Sequence, residues 1–498
     1  MRMRTIFITS VAAGLLASAA AAQNVTIVLP ERPASLEPCR SIRADIGRVI
    51  NMNITETLTV TNAETGEVEP HLATEWKQID PQTWQFTLRD NVAFQDGTPM
   101  NAEAVVNSID RLMNPNLTCD SRSKFGDQEL TSTAIDDQTV QVQSSIVNPI
   151  MPTLMSTVQI VAPVMPFDAE TNEPIGTGPY TLTEATPEHI VLTRNDDYWG
   201  DAPMVEEATF LWRGESAIRA AMVETGEADM TPAIAVQDAT NPDTDFAYLN
   251  SETTRMRIDM QIPPLDDRRV REALNISIDW EGMGEALFGP DVLRAAQMVV
   301  PGTVGYNADL APWAYDLKRA RQLIEEARAD GVPVDTPITL IGRNSFFPNA
   351  GESLEAMQAI WSELGLNIEI QALEAADWVR YLDKPFPGDR GPTLFQQQHD
   401  NNTGDASFTI PVMYSTNGQY STVEDPALDE VITRAMTSTG ADRANSFGKA
   451  AQMVHDDVIA DIPMYHMVGY VRVSPRLDWK PNLKTNSEIQ LSKFRFKE

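Results

Sequence analysis

Three arginines, Arg40, Arg43 and Arg48, fall within nine residues near the start of a chain whose formal net charge is −33. A guanidinium offers a planar fork that matches a carboxylate or phosphate, so this cluster can hold an anion; a solvated basic face is the plainer alternative. A second concentration of polar groups runs Gln397-Gln398-His399-Asp400-Asn401-Asn402-Thr403-Gly404-Asp405. Its amides and carboxylates suit solutes rich in hydroxyl and amide groups better than apolar side chains. Downstream, Tyr414 and Tyr420 can wall a cleft with rings that keep a polar tip, and Trp212 is a further aromatic candidate.

Signatures of covalent or metal chemistry are missing. The chain has no G-x-S-x-G elbow, and its five histidines (His71, His189, His399, His455 and His466) show neither H-E-x-x-H nor paired spacing. Gly448-Lys449 lacks the glycine spacing and the Ser/Thr of a phosphate loop. Adjacent carboxylates such as Asp196-Asp197 and Asp456-Asp457 are what so acidic a chain produces by chance. An exported hydrolase with an unmarked carboxylate dyad is the least favoured reading, and no cofactor is expected.

Residues 1–22 carry Arg2 and Arg4, a short apolar run and a small-residue end, which predicts an export signal cleaved near Ala22. The apolar run is shorter than the ~20 residues that span a bilayer. No cysteine follows the cleavage point, so no lipid anchor is expected there. The expected product is soluble, periplasmic and monomeric. Losing Arg2 and Arg4 makes it two charges more negative, and such acidity repels nucleic acid and anionic membranes. The two cysteines, Cys39 and Cys119, can form a disulfide in an oxidising compartment; two buried thiols are the alternative.

The elements that must position these groups are legible in places. Trp84, Phe86 and Leu88 alternate with polar residues and predict a half-buried strand, continued by Val92 and Phe94. Asp96-Gly97 predicts a tight turn, and Asn101 caps a helix carrying Val105, Val106, Ile109, Leu112 and Met113. Further helices are predicted at 215–224, 267–285, 316–329, 351–364 and 442–460, short strands at 338–341 and 367–370, and a buried strand at the start of the segment that begins at Gln23 and ends in a Pro-rich loop. Helices alternating with strands indicate α/β lobes, and the length calls for two or three domains.

Read in order, short motifs carry a resemblance that runs almost end to end. They are Glu56 and Leu58 before Pro70, Leu72, Ala73 and Trp76, then the stretch 84–108, Gly176-Thr177-Gly178-Pro179-Tyr180, and Leu192, Arg194-Asn195 with Tyr198-Trp199-Gly200. Gly226-Glu227-Ala228-Asp229, Asp266-Asp267-Arg268-Arg269-Val270-Arg271, Tyr315-Asp316 and Asp461 with Pro463 and Tyr465 complete the set. Together they resemble the family-5 extracellular solute-binding proteins of ABC transporters, which include dipeptide- and oligopeptide-binding proteins. Most motif positions read as core or backbone geometry, so they indicate family and leave the solute open.

The resemblance implies a two-lobed periplasmic-binding-protein fold of the large, peptide-binding type with an additional inserted domain. After the signal, lobe I comprises 23–54, 174–262 and 470–498; the additional domain is 55–173 and lobe III is 263–469. Solute enters the cleft between lobes I and III and is passed to a membrane permease. By the same resemblance Asp400 is the receiver of a peptide ammonium, with Asp405 as alternate, and Arg343 receives the carboxylate. Gln397 stands where peptide binders usually have tryptophan, which favours small polar solutes over ordinary dipeptides. Opines, oligosaccharides and a chelated metal such as nickel, held by His399 or His466, are the alternatives.

Overall fold

The computed structural model describes residues 23–126, 128–343, 346–401 and 403–497. The expected export signal lies outside the described residues, as do Asn344 and Asn402.

The apolar run NVTIVL forms strand Asn24–Leu29 at the heart of a mixed sheet of 11 strands. On one side follow Glu207–Trp212, Ile190–Arg194 and Tyr180–Ala185. On the other lie Met230–Ile234, Asp461–Val473, Asp245–Ile258, Thr393–Asp400, Ile338–Arg343 and Ile368–Leu373. Pairing is parallel around Asn24–Leu29 and at the Ile368–Leu373 end, and antiparallel between them and at the Tyr180–Ala185 edge.

Two central strands are exceptionally long, Asp245–Ile258 with 14 residues and Asp461–Val473 with 13. Most strands have about five or six. Each runs from one hydrophobic core into another. The first core gathers Val25, Ile27, Tyr180, Phe210 and Phe494; the second gathers Ile258, Leu274, Trp361, Leu394 and Tyr465. Asp245 to Leu249 pair with Arg472 to Val468, and Thr253 to Arg257 with His466 to Asp461, with a slip of register between. Ser251 lies in that slip with φ of 66°, a conformation a side-chain-bearing residue adopts only where the chain must bend. Buried ion pairs pin the ladder on either side: Asp245 accepts from Arg472 at 2.6 Å through both carboxylate oxygens, and Arg255 reaches Asp461 at 3.0 Å. The ladder is regular over 245–249 and 255–257 and irregular between, where Ser251 lies.

A four-stranded antiparallel sheet, Ala73–Asp80, Thr83–Leu88, Thr139–Ser144 and Leu130–Asp136, forms a separate unit with its own core. Helix Ala102–Met113 buries Val105, Ile109 and Leu112 in that core, and the Asn101 side chain accepts from the Ala104 N–H as its cap. Three expectations need correction. Val92 and Phe94 are buried but lie outside any strand, because Asn91 turns the chain with φ of 60°. The helix expected over 267–285 is two helices, Arg268–Ile276 and Trp280–Phe288, the second started by Asp279 accepting from Gly282 N. The helix expected to Ala460 ends at Met453 and widens into a π turn over Val454–Val458.

The scattered motifs converge on one buried carboxylate. Glu56 is fully buried; its Oε1 lies 2.8 Å from His71 Nε2 and accepts from the Tyr198 hydroxyl at 2.7 Å. Its Oε2 accepts from Thr177 Oγ1 at 2.8 Å and Trp199 Nε1 at 2.9 Å. Beside it, Gln95 Nε2 donates to the carbonyls of Ile54, Gly178 and Tyr180 and its Oε1 accepts from Gly176 N–H. A Cβ on Gly178 would stand 2.3 Å from the Asn53 carbonyl oxygen, so only glycine permits this approach. These residues join the four-stranded unit to the large sheet.

Truncating Glu56 strands donors from three segments of chain. Glu56→Ala is expected to lower unfolding free energy by about 3 kcal/mol or more. Urea unfolding measures this, and a loss below about 1 kcal/mol would deny Glu56 its joining role.

Candidate functional site

The interruption at Ser251 is surrounded by charge. Directly after it, Glu252 stands opposite Asp400 in the antiparallel pair Asp245–Ile258 with Thr393–Asp400. Ser251 Oγ donates to Asp400 Oδ1 at 2.6 Å, while Gln398 Nε2 and Asn250 Nδ2 donate to Glu252 Oε2 at 2.6 and 3.0 Å. Burial and then the charge of Asp400 push the Glu252 carboxyl up to about 7, with Arg48 and the Asn250 hydrogen bond opposing. Lys124 faces Asp400 from the turn Asp120–Phe125 of the four-stranded unit; burial lowers its ammonium pKa and Asp400 partly restores it. Arg48 closes the group from helix Ala44–Ile50, its pKa lowered by burial. Its Nε is enclosed without a hydrogen-bond partner among the described residues.

Strand alternation divides the residues expected at this site. Successive side chains leave opposite faces of a strand, so Gln398 and Asp400 share the Glu252 face while Gln397 and His399 point to the other. There Gln397 is buried, accepting from Arg255 Nε at 2.8 Å. His399 Nε2 lies 2.9 Å from Thr409 Oγ1, and burial followed by the charge of Lys124 depresses its pKa to about 3. Tyr414 is buried with its hydroxyl donating to Asp461 Oδ2 at 2.5 Å. Asp405 is occupied internally: its oxygens accept from Arg443 Nε and Nη2 at 2.9 and 2.7 Å.

The remaining expected residues lie apart. Arg343 ends strand Ile338–Arg343 with its guanidinium over Phe346 and Trp378, at 4.8 and 5.7 Å from the ring centres. Arg43 is half exposed and reaches Asp45 at 3.3 Å. Trp212 packs at the far edge of the first core under Arg32. Tyr420 gives its carbonyl oxygen to Arg257. His466 Nδ1 lies 2.8 Å from Thr253 Oγ1, and among the described residues no group of three or more His, Cys, Asp or Glu is placed to hold a metal ion.

The two halves also touch away from the long strands. The hairpin joining Thr59–Thr61 to Val68–Pro70 places Gly66 against Gly302, where a Cβ would stand 2.7 Å from the carbonyl oxygen. A small cavity of about 70 Å³ holds Lys124 in its wall; it adjoins a larger polar one of about 700 Å³ through Met52, Val60, Thr61, Lys484 and Glu488. The larger volume lies between the hairpin and residues 478–493. Arg48, Glu252 and Asp400 line neither cavity.

The fold has counterparts. The family description for the middle region of the bacterial extracellular solute-binding proteins, family 5, matches residues 67–424. The chain belongs to that family. It is 26% identical to the periplasmic murein peptide-binding protein MppA of Escherichia coli over 92% of this chain and 90% of that protein. It is 24% identical to the nickel-binding periplasmic protein of the same organism, over 98% and 97%. The structure of HbpA2 from Haemophilus parasuis superposes with a TM-score of 0.83 at 20% identity, over 95% of this chain and all of that one. Family 5 consists of transport receptors rather than enzymes, and among the described residues no helix is long and apolar enough to cross a membrane.

Sequence reasoning missed Glu252 and Lys124 in this family-5 protein. Lys124 carried one indirect signal: it follows Cys119 by five residues, and Cys119 is bonded to Cys39. The bond ties the N-terminal segment to the turn that presents Lys124, helped by Arg40 reaching Asp120 at 3.2 Å. Closing a loop across 80 residues stabilises by about 4 kcal/mol on the chain-entropy account. Cys39→Ser/Cys119→Ser is expected to lower the melting temperature and speed amide exchange over 119–126. Unchanged exchange there would show that the turn is held by other contacts.

Proposed function

We propose that this protein is the periplasmic receptor of an ABC importer, enclosing a peptide or peptide-like zwitterion between its halves and delivering it to the membrane permease. The observation that carries the reading is the meeting of Arg48, Lys124, Glu252 and Asp400, drawn from three parts of the fold, at the interrupted strand pair. Acidic and basic groups gathered in a desolvated space complement a zwitterion, whose ammonium pairs with carboxylate and whose anionic end pairs with a basic group. The peptide-binding relative supports the same class.

In this reading lobe I contains the first core and lobe III the second, with the boundary inside the long strands near Ser251 and Val468. The four-stranded unit is the additional domain. Closure is a hinge motion about that interruption, and the protein acts as a monomer. Asp400 receives the ammonium, and Arg48 with Lys124 replaces Arg343 as the partner of the anionic end. A chelated metal has less support, because the buried histidines His399 and His466 already have hydroxyl partners.

Two experiments test this. Mass spectrometry of the small molecule released on denaturing the purified protein is expected to find a peptide or amino-acid conjugate; a sugar or a metal complex would discard the zwitterion. Calorimetry with that molecule is expected to show at least a tenfold loss of affinity in Asp400→Asn and less than a threefold change in Arg343→Ala. The reverse ranking would return the site to Arg343.

A further inference from the structure

Left-handed glycines meet where the two halves touch away from the long strands. Gly66 lies in the tip of the hairpin with φ of 72°, and Gly302 and Gly404 lie in two segments of the other half with φ of 86° and 75°. A Cβ on Gly66 would stand 2.7 Å from the Gly302 carbonyl oxygen and 3.5 Å from that of Gly404. One on Gly302 would stand 3.4 Å from the Glu64 carbonyl oxygen. The contact is backbone on backbone, at a distance that only glycine at position 66 permits. Both surfaces are braced from within. Asn62 Oδ1 accepts from the Glu64 and Thr65 N–H groups, and the Asn62 carbonyl accepts from Gly66 N–H, which shapes the tip. Opposite it, the Val304 N–H donates to the Gly404 carbonyl at 3.0 Å and the Ala406 N–H to the Val304 carbonyl at 2.9 Å, tying the two segments together. Braced surfaces fitted this closely seat or separate and do not slide by degrees.

The same two segments carry a cost. Thr303, Thr403 and Ser407 are buried, and their hydroxyl oxygens have no hydrogen-bond partner among the described residues. A hydroxyl buried without a partner opposes the arrangement that buries it, because water would satisfy it. We propose that this contact is the latch of the closed form: the glycines let the halves seat backbone on backbone, and the stranded hydroxyls beside them keep the empty closed form marginal. Separation of the halves wets Thr303 and Thr403, which adjoin Gly302 and Gly404 in sequence. Solute binding then supplies the free energy that tips a poised equilibrium. This rests on the hinged-receptor reading above and adds the contact that sets how readily the empty protein closes.

The test measures the distance distribution between spin labels at Glu67→Cys on the hairpin and Asp309→Cys across the contact, both exposed positions, in solute-free protein. Two substitutions should move it in opposite directions. Gly66→Ala places a methyl against the Gly302 carbonyl and should lower the ratio of short to long distances by about tenfold. Thr403→Val replaces the stranded hydroxyl with a methyl of the same shape and should raise that ratio by about fivefold or more. Gly97→Ala is the control: φ there is 83° but nothing lies within 4 Å, so it carries the backbone strain without the contact and should leave the distribution unchanged. A latch is refuted if Gly66→Ala and Gly97→Ala behave alike, if Thr403→Val leaves the ratio unchanged or lowers it, or if Gly66→Ala raises it. The comparison uses no solute, so it fails separately from the receptor reading, which fails if removing the co-purified molecule leaves the wild-type distance unchanged.

Discussion

Two strands that contribute to both hydrophobic cores hold the large sheet together. Asp245–Ile258 and Asp461–Val473 hydrogen-bond to each other on both sides of an irregular stretch, Leu249 to Arg255, within which Ser251 takes a left-handed conformation. A ladder resists bending where its bonds are regular and yields where they are absent. The ion pairs Arg472–Asp245 and Arg255–Asp461 confine the yielding to the few residues between them. The same residues, Asn250 to Glu252, bind each other and Asp400. The bend and the charged group are therefore one place, which is what the proposed closure on solute requires.

A second constraint keeps the third unit in position. The buried carboxylate of Glu56 and the amide of Gln95 fasten the four-stranded unit to the large sheet through bonds to His71, Thr177, Tyr198, Trp199 and the backbone of 176–180. That junction, with the disulfide, fixes where Lys124 meets Asp400.

The junction is also why the family was legible and the solute was not. Residues such as Glu56, Gly178, Tyr198 and Trp199 serve packing and backbone geometry, which the fold itself requires. Strand Thr83–Leu88 and helix Ala102–Met113 were readable from local period and capping chemistry. The break within 267–285 was not, because Asp279 stands in an apolar pattern that looks continuous and its capping role appears only in the fold. At the site, Asp400 sat in a visibly polar segment. Its partners Glu252 and Lys124 lie 148 and 276 residues away and acquire meaning only through strand register and domain docking. The grouping of Gln397 and His399 with Asp400 ignored the period of two, which sends them to opposite faces of the strand.

The most direct test of the account is the distance between the halves in solution, measured by fluorescence transfer between labels at Glu64 on the hairpin and Asp309 across the contact. Protein stripped of its co-purified molecule by unfolding and refolding should show a longer distance, restored to the short one when that molecule is returned. A distance that is the same with and without the molecule would contradict closure about Ser251, and with it the reading of this protein as a hinged receptor.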